Sequence, residues 1–225
     1  GTTNVNVGGV CGKSGMLTAG CHAEWTESAH VKIASDRSNF GGVTGLTQAE
    51  SNYAFLVGCY ALCKGRVEIE PKNGTDYTAN AGGIAGTLAN STIAGCTVKA
   101  KNIYGHNASS PSLIGVSGIA AYVVGVSSVS DCKAYATLIR NSTVLGTEDA
   151  SVTPDNLFGM GMIVGIDAGT TTVTNCGVGG SFYLGASEKP QELILTLDAD
   201  SYAKGIIGSG KTATVGGCYY WNGEK

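Results

Sequence analysis

Residues 83–100 read GIAGTLANSTIAGCTVKA, and this stretch contains both of the short motifs that recur along the chain. The first motif is a glycine-aliphatic element, Gly83-Ile84-Ala85-Gly86. The second is a cysteine directly after a glycine, Gly95-Cys96. Motifs that return at a steady period mark stacked structural repeats, and the period then indicates the fold. This stretch therefore defines the unit with which the rest of the chain is compared.

The cysteine motif occurs six times, and the residue before the cysteine is always Gly, Asp or Asn. The six cysteines are Cys21, Cys59, Cys96, Cys132, Cys176 and Cys218, and successive members lie 36 to 44 residues apart. Gly, Asp and Asn are the residues that most readily adopt turn conformations. Each copy therefore predicts a turn or bulge that feeds a strand.

The glycine-aliphatic element also recurs, and its second residue is β-branched in every copy. Four copies fit the pattern G-[V/I]-x-G and two are altered; the six are Gly9–Gly12, Gly42–Gly45, Gly83–Gly86, Gly118–Ala121, Met162–Gly165 and Gly205–Gly208. β-Branched side chains have few rotamers and suit a pleated, buried surface. Beyond each cysteine the pattern alternates, as in Cys96-Val98-Ala100, and a period of two predicts a strand.

These repeats predict an all-β fold with almost no helix. We expect a parallel β-helix, or β-solenoid, of about six irregular rungs, each with one glycine-aliphatic element and one [G/N/D]-Cys strand. A six-bladed propeller is the alternative. It needs four strands in each repeat and usually an aromatic signature, whereas this chain has only Trp25 and Trp221. The uninterrupted repeat predicts a single domain over 1–225.

Composition excludes several classes of function. The 225 residues are 43% hydrophobic and 14% charged with a net charge of -3, which predicts a large core and no electrostatic footprint for nucleic acid. No run of about 18 apolar residues occurs, so we expect no membrane span. The chain has three scattered histidines and no CxxC pair, so we expect no metal site and no other cofactor.

The glycine-aliphatic element followed by an Ile/Val-x-[G/N/D]-Cys strand resembles the GLUG-type repeats of bacterial surface and adhesin-like β-helix proteins. The resemblance covers nearly the whole chain through the six copies given above. It implies a secreted or cell-surface bacterial module without known catalysis. Because Gly1 opens the sequence without a Met and the first motif begins already at Gly9, we expect a mature segment, without its signal, of a longer exported protein.

The six repeat cysteines are interpreted as one column of stacked interior thiols rather than as disulfides. Aligned residues on adjacent strands lie about 4.8 Å apart with parallel Cα–Cβ vectors, whereas disulfide-bonded Cβ atoms average about 3.8 Å. A free cysteine packs as a small hydrophobe. Cys11 occupies the slot held by Ala85 and Ala120, and a local bridge between Cys63 and Cys59 stays open.

Two other patterns suggest chemistry but have simpler explanations. Gly205–Thr212 matches the phosphate-loop pattern G-x-x-x-x-G-K-[S/T], yet a phosphate loop opens a helix and a repeat strand follows here, so we expect no nucleotide. Asp36, Asp76, Asp155 and Asp200 precede glycine elements, where turn hydrogen bonds account for them. If stacked turns brought such carboxylates together, the chain would instead be a polysaccharide-active lyase or glycoside hydrolase.

Side chains one and three residues after each repeat cysteine should point to solvent. The aromatic and charged residues among them form the candidate binding face: His22, Glu24, Tyr60, Lys99, Lys133, Tyr135, Tyr219 and Trp221. Aligned groups of this kind recognise a glycan or a protein strand. Because no catalytic constellation is evident, we expect a non-catalytic module for adhesion or for binding a glycan or a surface protein. A structural spacer is a further alternative.

Overall fold

The computed structural model describes residues 4–49, 53–71, 78–107, 113–142, 159–184, 191–193, 205–209 and 213–224. Within these residues the chain forms short β-strands, and helical backbone is confined to Gly205 and Ile206. The first strands in chain order are β1 (Asn4–Gly8), β2 (Cys11–Ser14), β3 (Leu17–Ala19), β4 (His22–Trp25), β5 (His30–Ser35), β6 (Arg37–Gly41), β7 (Thr44–Gln48), β8 (Ala54–Val57), β9 (Tyr60–Pro71), β10 (Thr78–Gly82), β11 (Ala85–Ala89), β12 (Ser91–Ala94) and β13 (Thr97–Asn107). They are followed by β14 (Leu113–Ser117), β15 (Ala120–Val124), β16 (Val126–Ser130), β17 (Lys133–Ser142), β18 (Met160–Gly161), β19 (Val164–Asp167), β20 (Thr170–Thr174), β21 (Gly177–Leu184), β22 (Gln191–Leu193), β23 (Ile207–Ser209), β24 (Thr214–Gly216) and β25 (Tyr219–Tyr220).

The strands form four sheets because each strand pairs with the equivalent strand of a neighbouring repeat. Sheet A has the order β1-β6-β10-β14-β18, and sheet B has the order β2-β7-β11-β15-β19-β23. Sheet C has the order β24-β20-β16-β12-β8-β3. Sheet D has the order β22-β21-β17-β13-β9-β4, with β5 beside β9 and β25 beside β21. Among the described strands, only β21 and β22 pair in the antiparallel sense.

Parallel pairing between repeats makes the chain a β-solenoid. Three consecutive turns, β6–β9, β10–β13 and β14–β17, each contribute one strand to every sheet, and the strands on either side extend the same sheets. Propeller blades are antiparallel sheets closed within one repeat, so this topology excludes the propeller. The predictions of an all-β fold, of almost no helix and of a parallel solenoid are confirmed.

The residue before each repeat cysteine forms the corner at which sheet C turns into sheet D. Its φ lies between 54° and 64° in all six copies, which are Gly20, Gly58, Gly95, Asp131, Asn175 and Gly217. Most L-residues avoid this left-handed region, but glycine enters it freely and Asn and Asp tolerate it. The predicted turn is confirmed, and the choice of residue has a steric cause.

Backbone hydrogen bonds continue past this corner and stack the cysteines. From Cys59 onward, the amide after each repeat cysteine donates to the carbonyl oxygen of the cysteine in the preceding repeat; for example, Thr97 N lies 2.9 Å from Cys59 O. All eight cysteines are free thiols. The inner members of the column, Cys59, Cys96, Cys132 and Cys176, are buried, while the end members, Cys21 and Cys218, are half-buried.

Aliphatic columns parallel to the cysteines fill the interior between the sheets. The fully buried members are Leu56, Ile93, Val129 and Val173 in sheet C, and Val43, Ile84, Ile119 and Ile163 between sheets A and B. Each such side chain contributes roughly 1.5–3 kcal/mol when buried. The core therefore runs along the solenoid axis, and the outer surface of each sheet is left for other contacts.

Replacement of Gly95 tests the left-handed corner. The nearest heavy atom to a Cβ at this position would be 3.9 Å away, so alanine fits sterically and only the φ of +62° is strained. We expect Gly95→Ala to lower the free energy of unfolding by about 1–2 kcal/mol. Gly95→Asn, which copies Asn175, should cost less. Urea denaturation measures both variants, and equal losses would contradict the steric explanation.

Burial of Cys63 makes stability depend on alkaline pH. Desolvation raises the pKa of the Cys63 thiol from 9.0 to about 12. Above about pH 9 the unfolded chain ionises this thiol while the folded protein holds it neutral, so rising pH favours unfolding. We expect the free energy of unfolding to fall between about pH 9 and pH 12, and to fall less steeply in Cys63→Ala. Urea titrations across this range measure the slopes, and identical slopes would refute the effect.

Candidate functional site

The outer surface of sheet D, here called the sheet D face, contains all eight predicted binding residues. Strand register arranges them in two columns. One column is His22-Tyr60-Thr97-Lys133-Gly177-Tyr219, and the other is Glu24-Leu62-Lys99-Tyr135-Gly179, which Trp221 continues. Between these columns lie inward residues such as Ala61, Val98 and Ala134, which are buried. Alternation along the strand therefore separates the core from the candidate site.

One end of the sheet D face carries two small contacts. His22 meets Tyr60 edge-on, with ring centroids 4.9 Å apart. Lys64 Nζ donates a hydrogen bond of 2.7 Å to Glu24 Oε1, and this bond lowers the pKa of the Glu24 carboxyl and raises the pKa of the Lys64 ammonium. Both charges are exposed, so this surface salt bridge contributes little to stability.

At the other end, two lysines and a tyrosine surround Trp221. The Nζ atoms of Lys99 and Lys133 each lie 5.7 Å from the centroid of the Trp221 ring, within the range of a cation–π contact. The Tyr135 ring meets the indole edge-on, with centroids 6.5 Å apart. This cluster joins side chains from three repeats, namely Lys99 from β13, Lys133 and Tyr135 from β17, and Trp221, which follows β25.

The prediction that Trp221 is exposed to solvent is wrong, since the side chain is only 9% exposed. A Cβ on Gly177 would lie 3.1 Å from Trp221 Cβ, and a Cβ on Gly179 would lie 2.0 Å from Trp221 O. Because Gly177 and Gly179 have no side chains, Trp221 packs directly against the backbone of β21. Tyr135 and Tyr219 remain 39% and 44% exposed, so both keep aromatic surface available on the sheet D face.

A second surface, which sequence reasoning missed, is a groove between sheets A and B with a volume of about 390 Å³. We call it the amide groove, and its lining residues are Asn4, Asn6, Arg37, Asn39, Leu46, Thr78, Asn80, Thr87 and Tyr122. The groove exists because the two sheets approach closely at glycines. A Cβ on Gly86 would lie only 2.7 Å from Phe40 N.

Asparagine side chains form a hydrogen-bonded ladder along the amide groove. Asn39 Nδ2 donates to Asn6 Oδ1 at 2.8 Å, and Asn80 Nδ2 donates to Asn39 Oδ1 at 3.0 Å. The Thr87 hydroxyl also donates to Asn39 Oδ1, at 2.7 Å, and so ties sheet B to the ladder. A sequence signal was present, because Asn6, Asn39 and Asn80 each begin an Asn-x-Gly-Gly sequence.

Buried carboxylates occur outside the amide groove. Glu68 lies on the outer surface of sheet D and is 6% exposed, with His30 Nε2, Lys32 Nζ and Arg66 NH2 at 3.1, 3.2 and 3.1 Å from its oxygens. The hydrogen bond to Glu68 raises the pKa of the Lys32 ammonium. Three basic partners thus fix this carboxylate as part of an ion-pair cluster.

Asp167 is the second buried carboxylate, located where sheet B turns into sheet C. Its Oδ1 accepts hydrogen bonds from Thr171 Oγ1 at 2.6 Å and from Gly169 N at 3.1 Å, as in a side-chain turn. Four aspartates precede glycine elements in the sequence, and of these Asp36 is half-buried. Asp76, Asp155 and Asp200 lie outside the described residues.

Three further features concern nucleotide binding, metal binding and membrane spans. In the match to a phosphate loop, Ile207–Ser209 is strand β23 of sheet B, and residues 210–212 lie outside the described part of the chain. Across the described residues, no group of three or more His, Cys, Asp or Glu side chains is placed to hold a metal ion. No helix in the same residues is long and apolar enough to cross a membrane.

Comparison with known proteins found no relative of this chain. No family model matches the chain, and neither the curated proteins nor the solved structures contain a match.

The contact between Trp221 and the glycines of sheet D can be tested by adding one methyl group. We expect Gly179→Ala to lift Trp221 from the sheet, because the new Cβ would overlap Trp221 O and lie 3.0 Å from Tyr135 Cδ2. In a Trp25→Phe background, the fluorescence of Trp221 should shift to the red. Gly216→Ala is the matched control, since a Cβ there meets no atom within 4 Å. An unchanged emission maximum in Gly179→Ala would contradict this packing.

Proposed function

We propose that this chain is a non-catalytic module that binds a glycan or a surface protein and serves adhesion at the bacterial cell surface or in secreted form. The observation that carries the proposal is the sheet D face, where the exposed Tyr135 and Tyr219 lie in columns with Lys99 and Lys133. Rigid aromatic side chains supply much of the energy of many binding surfaces. The surface location rests on the resemblance to GLUG-type repeats.

We also infer that the chain comprises six rungs, each with a glycine-aliphatic element and a cysteine strand. The pairing of β1–β4 with β6–β9 supports a rung before the three central turns. The pairing of β19, β20 and β21 with β23, β24 and β25 supports two rungs after them. A stack of this kind presents long side faces to a partner.

A polysaccharide-active enzyme is the less supported alternative. Hydrolysis by two carboxylates requires them about 5–10 Å apart across the scissile bond. The residues that line the amide groove carry amides, hydroxyls, one guanidinium and apolar groups, and none of them is acidic. A groove with this lining suits binding better than acid–base chemistry.

Binding to printed glycans and to immobilised extracellular-matrix proteins tests the proposed function. We expect the wild-type protein to bind at least one of these classes. The double variant Tyr135→Ala/Tyr219→Ala should bind at least about tenfold more weakly, because aromatic anchors are typical hot spots.

Tyr53→Ala is the matched control, because Tyr53 is 55% exposed and precedes β8 of sheet C. Undiminished binding by the double variant, or an equal loss in Tyr53→Ala, would remove the sheet D face from the function. A folded wild-type protein that binds neither class would favour the structural spacer.

A further inference from the structure

We propose that the amide groove is a saccharide-binding site whose ligand is an oligosaccharide that lies along the solenoid axis. The inference goes beyond the proposed function, since it assigns a second binding site with its own ligand class to the same non-catalytic module. The site is formed by sheets A and B, whereas the surface that carries the proposed function belongs to sheet D.

The groove repeats its polar groups along the axis. Asn4 and Asn6 come from β1, Arg37 and Asn39 from β6, and Thr78 and Asn80 from β10, and these strands are neighbours in sheet A. Neighbouring strands are about 4.8 Å apart, a spacing similar to the length of one pyranose unit. A saccharide chain along the axis can therefore meet one asparagine amide, from Asn6, Asn39 or Asn80, at each step.

The lining chemistry matches hydroxyl groups. An asparagine amide offers two donors and one acceptor oxygen, and a threonine hydroxyl both donates and accepts. Sugar hydroxyls have the same dual character, so each can pair with either atom of an amide. The ladder holds the inner asparagines in fixed orientations, and preorganised groups lose less entropy on binding.

One acceptor in this network has no partner. Asn80 is 2% exposed, and its Oδ1 is a buried oxygen without a hydrogen bond. The ladder ends at this oxygen because the aligned residue of the next strand is Gly115, which has no side chain to donate. A buried, unpaired acceptor costs about 1–3 kcal/mol. A sugar hydroxyl would satisfy it, and since the oxygen has no contact with solvent, the ligand reaches it only after a side-chain rotation.

Apolar groups in the groove suit the carbon face of a sugar ring. Leu46, Thr87 and Tyr122 are aligned on successive strands of sheet B, and the Leu46 and Tyr122 side chains are half-buried in the groove wall. An aromatic ring presents a flat apolar surface with a polar tip. Tyr122 thus offers a stacking surface beside the amides of sheet A.

A polypeptide ligand fits this groove less well. Peptides that bind to sheets usually add a strand to a free edge and pair through main-chain groups. The floor strands β6 and β10 each pair with a strand on both sides, as do β7 and β11. These four strands therefore present side chains rather than free backbone groups to the groove.

Isothermal titration with neutral glucose oligosaccharides and with uronate oligosaccharides tests the site, because the single cation Arg37 could meet either a hydroxyl or a carboxylate. We expect the wild-type protein to bind one of the two probes and Tyr122→Leu to weaken that binding at least about tenfold. Tyr53→Leu, a matched change outside both the amide groove and the sheet D face, should alter it less than about twofold, and Tyr135→Leu reports on the sheet D face. Arg37→Ala is a second groove variant and should also weaken binding. Because Arg37 is exposed, this variant keeps the test valid if Tyr122→Leu fails to fold.

Three outcomes would overturn the inference. Saccharide binding that survives both groove variants but is lost in Tyr135→Leu would move the ligand to the sheet D face and leave the proposed function intact. If the folded wild-type protein binds neither saccharide, the ligand is not an oligosaccharide and the inference fails. Binding to matrix proteins would in that case still support the proposed function. Binding of an extended peptide that both groove variants weaken, while saccharide binding survives both of them, would assign the groove to peptides.

Discussion

The structure depends on a left-handed backbone corner that recurs before every repeat cysteine. Positive φ at Gly95 and at its five counterparts turns the chain from sheet C into sheet D at the same place in each repeat. Because the corners coincide, the ladder of hydrogen bonds continues without a break and the side chains on both sides stay in register. A residue with a β-branched side chain at this place would strain the corner. The cysteine itself is secondary to this constraint, since it occupies the small buried space that the corner leaves.

Close approach of backbones is the second constraint, and it determines the outer shape of the solenoid. At Gly86 the backbone of sheet B comes so near to sheet A that a Cβ would overlap Phe40. The two sheets therefore enclose the amide groove, with Asn39, Asn80 and Thr87 at its floor. At Gly177 and Gly179 the same lack of a side chain has a different result, because Trp221 fills the space. At these two places the missing side chains thus create a groove in one case and a covered surface in the other.

Local pattern predicted much of this arrangement. The alternation after Cys96 placed Val98 inside and Lys99 outside, and the structure has both. The small residues before the cysteines predicted turns, because only a few residue types accept positive φ. The exposure of Trp221 was predicted wrongly, since its burial depends on glycines some forty residues earlier in the chain. The Asn-x-Gly-Gly copies were visible, but their meaning requires knowing that two sheets meet beside them.

The sequence alone determined the repeat, the corner and the inner columns, because each follows from the conformational limits of single residues and from the period of apolar side chains. Only the tertiary structure decided which outer surfaces face one another. The amide groove needs residues of sheet A and sheet B from several repeats, and the cluster around Trp221 needs β13, β17 and the segment that follows β25. Such contacts depend on the angle between sheets and on which neighbours lack a side chain, and these quantities arise only when the turns have stacked.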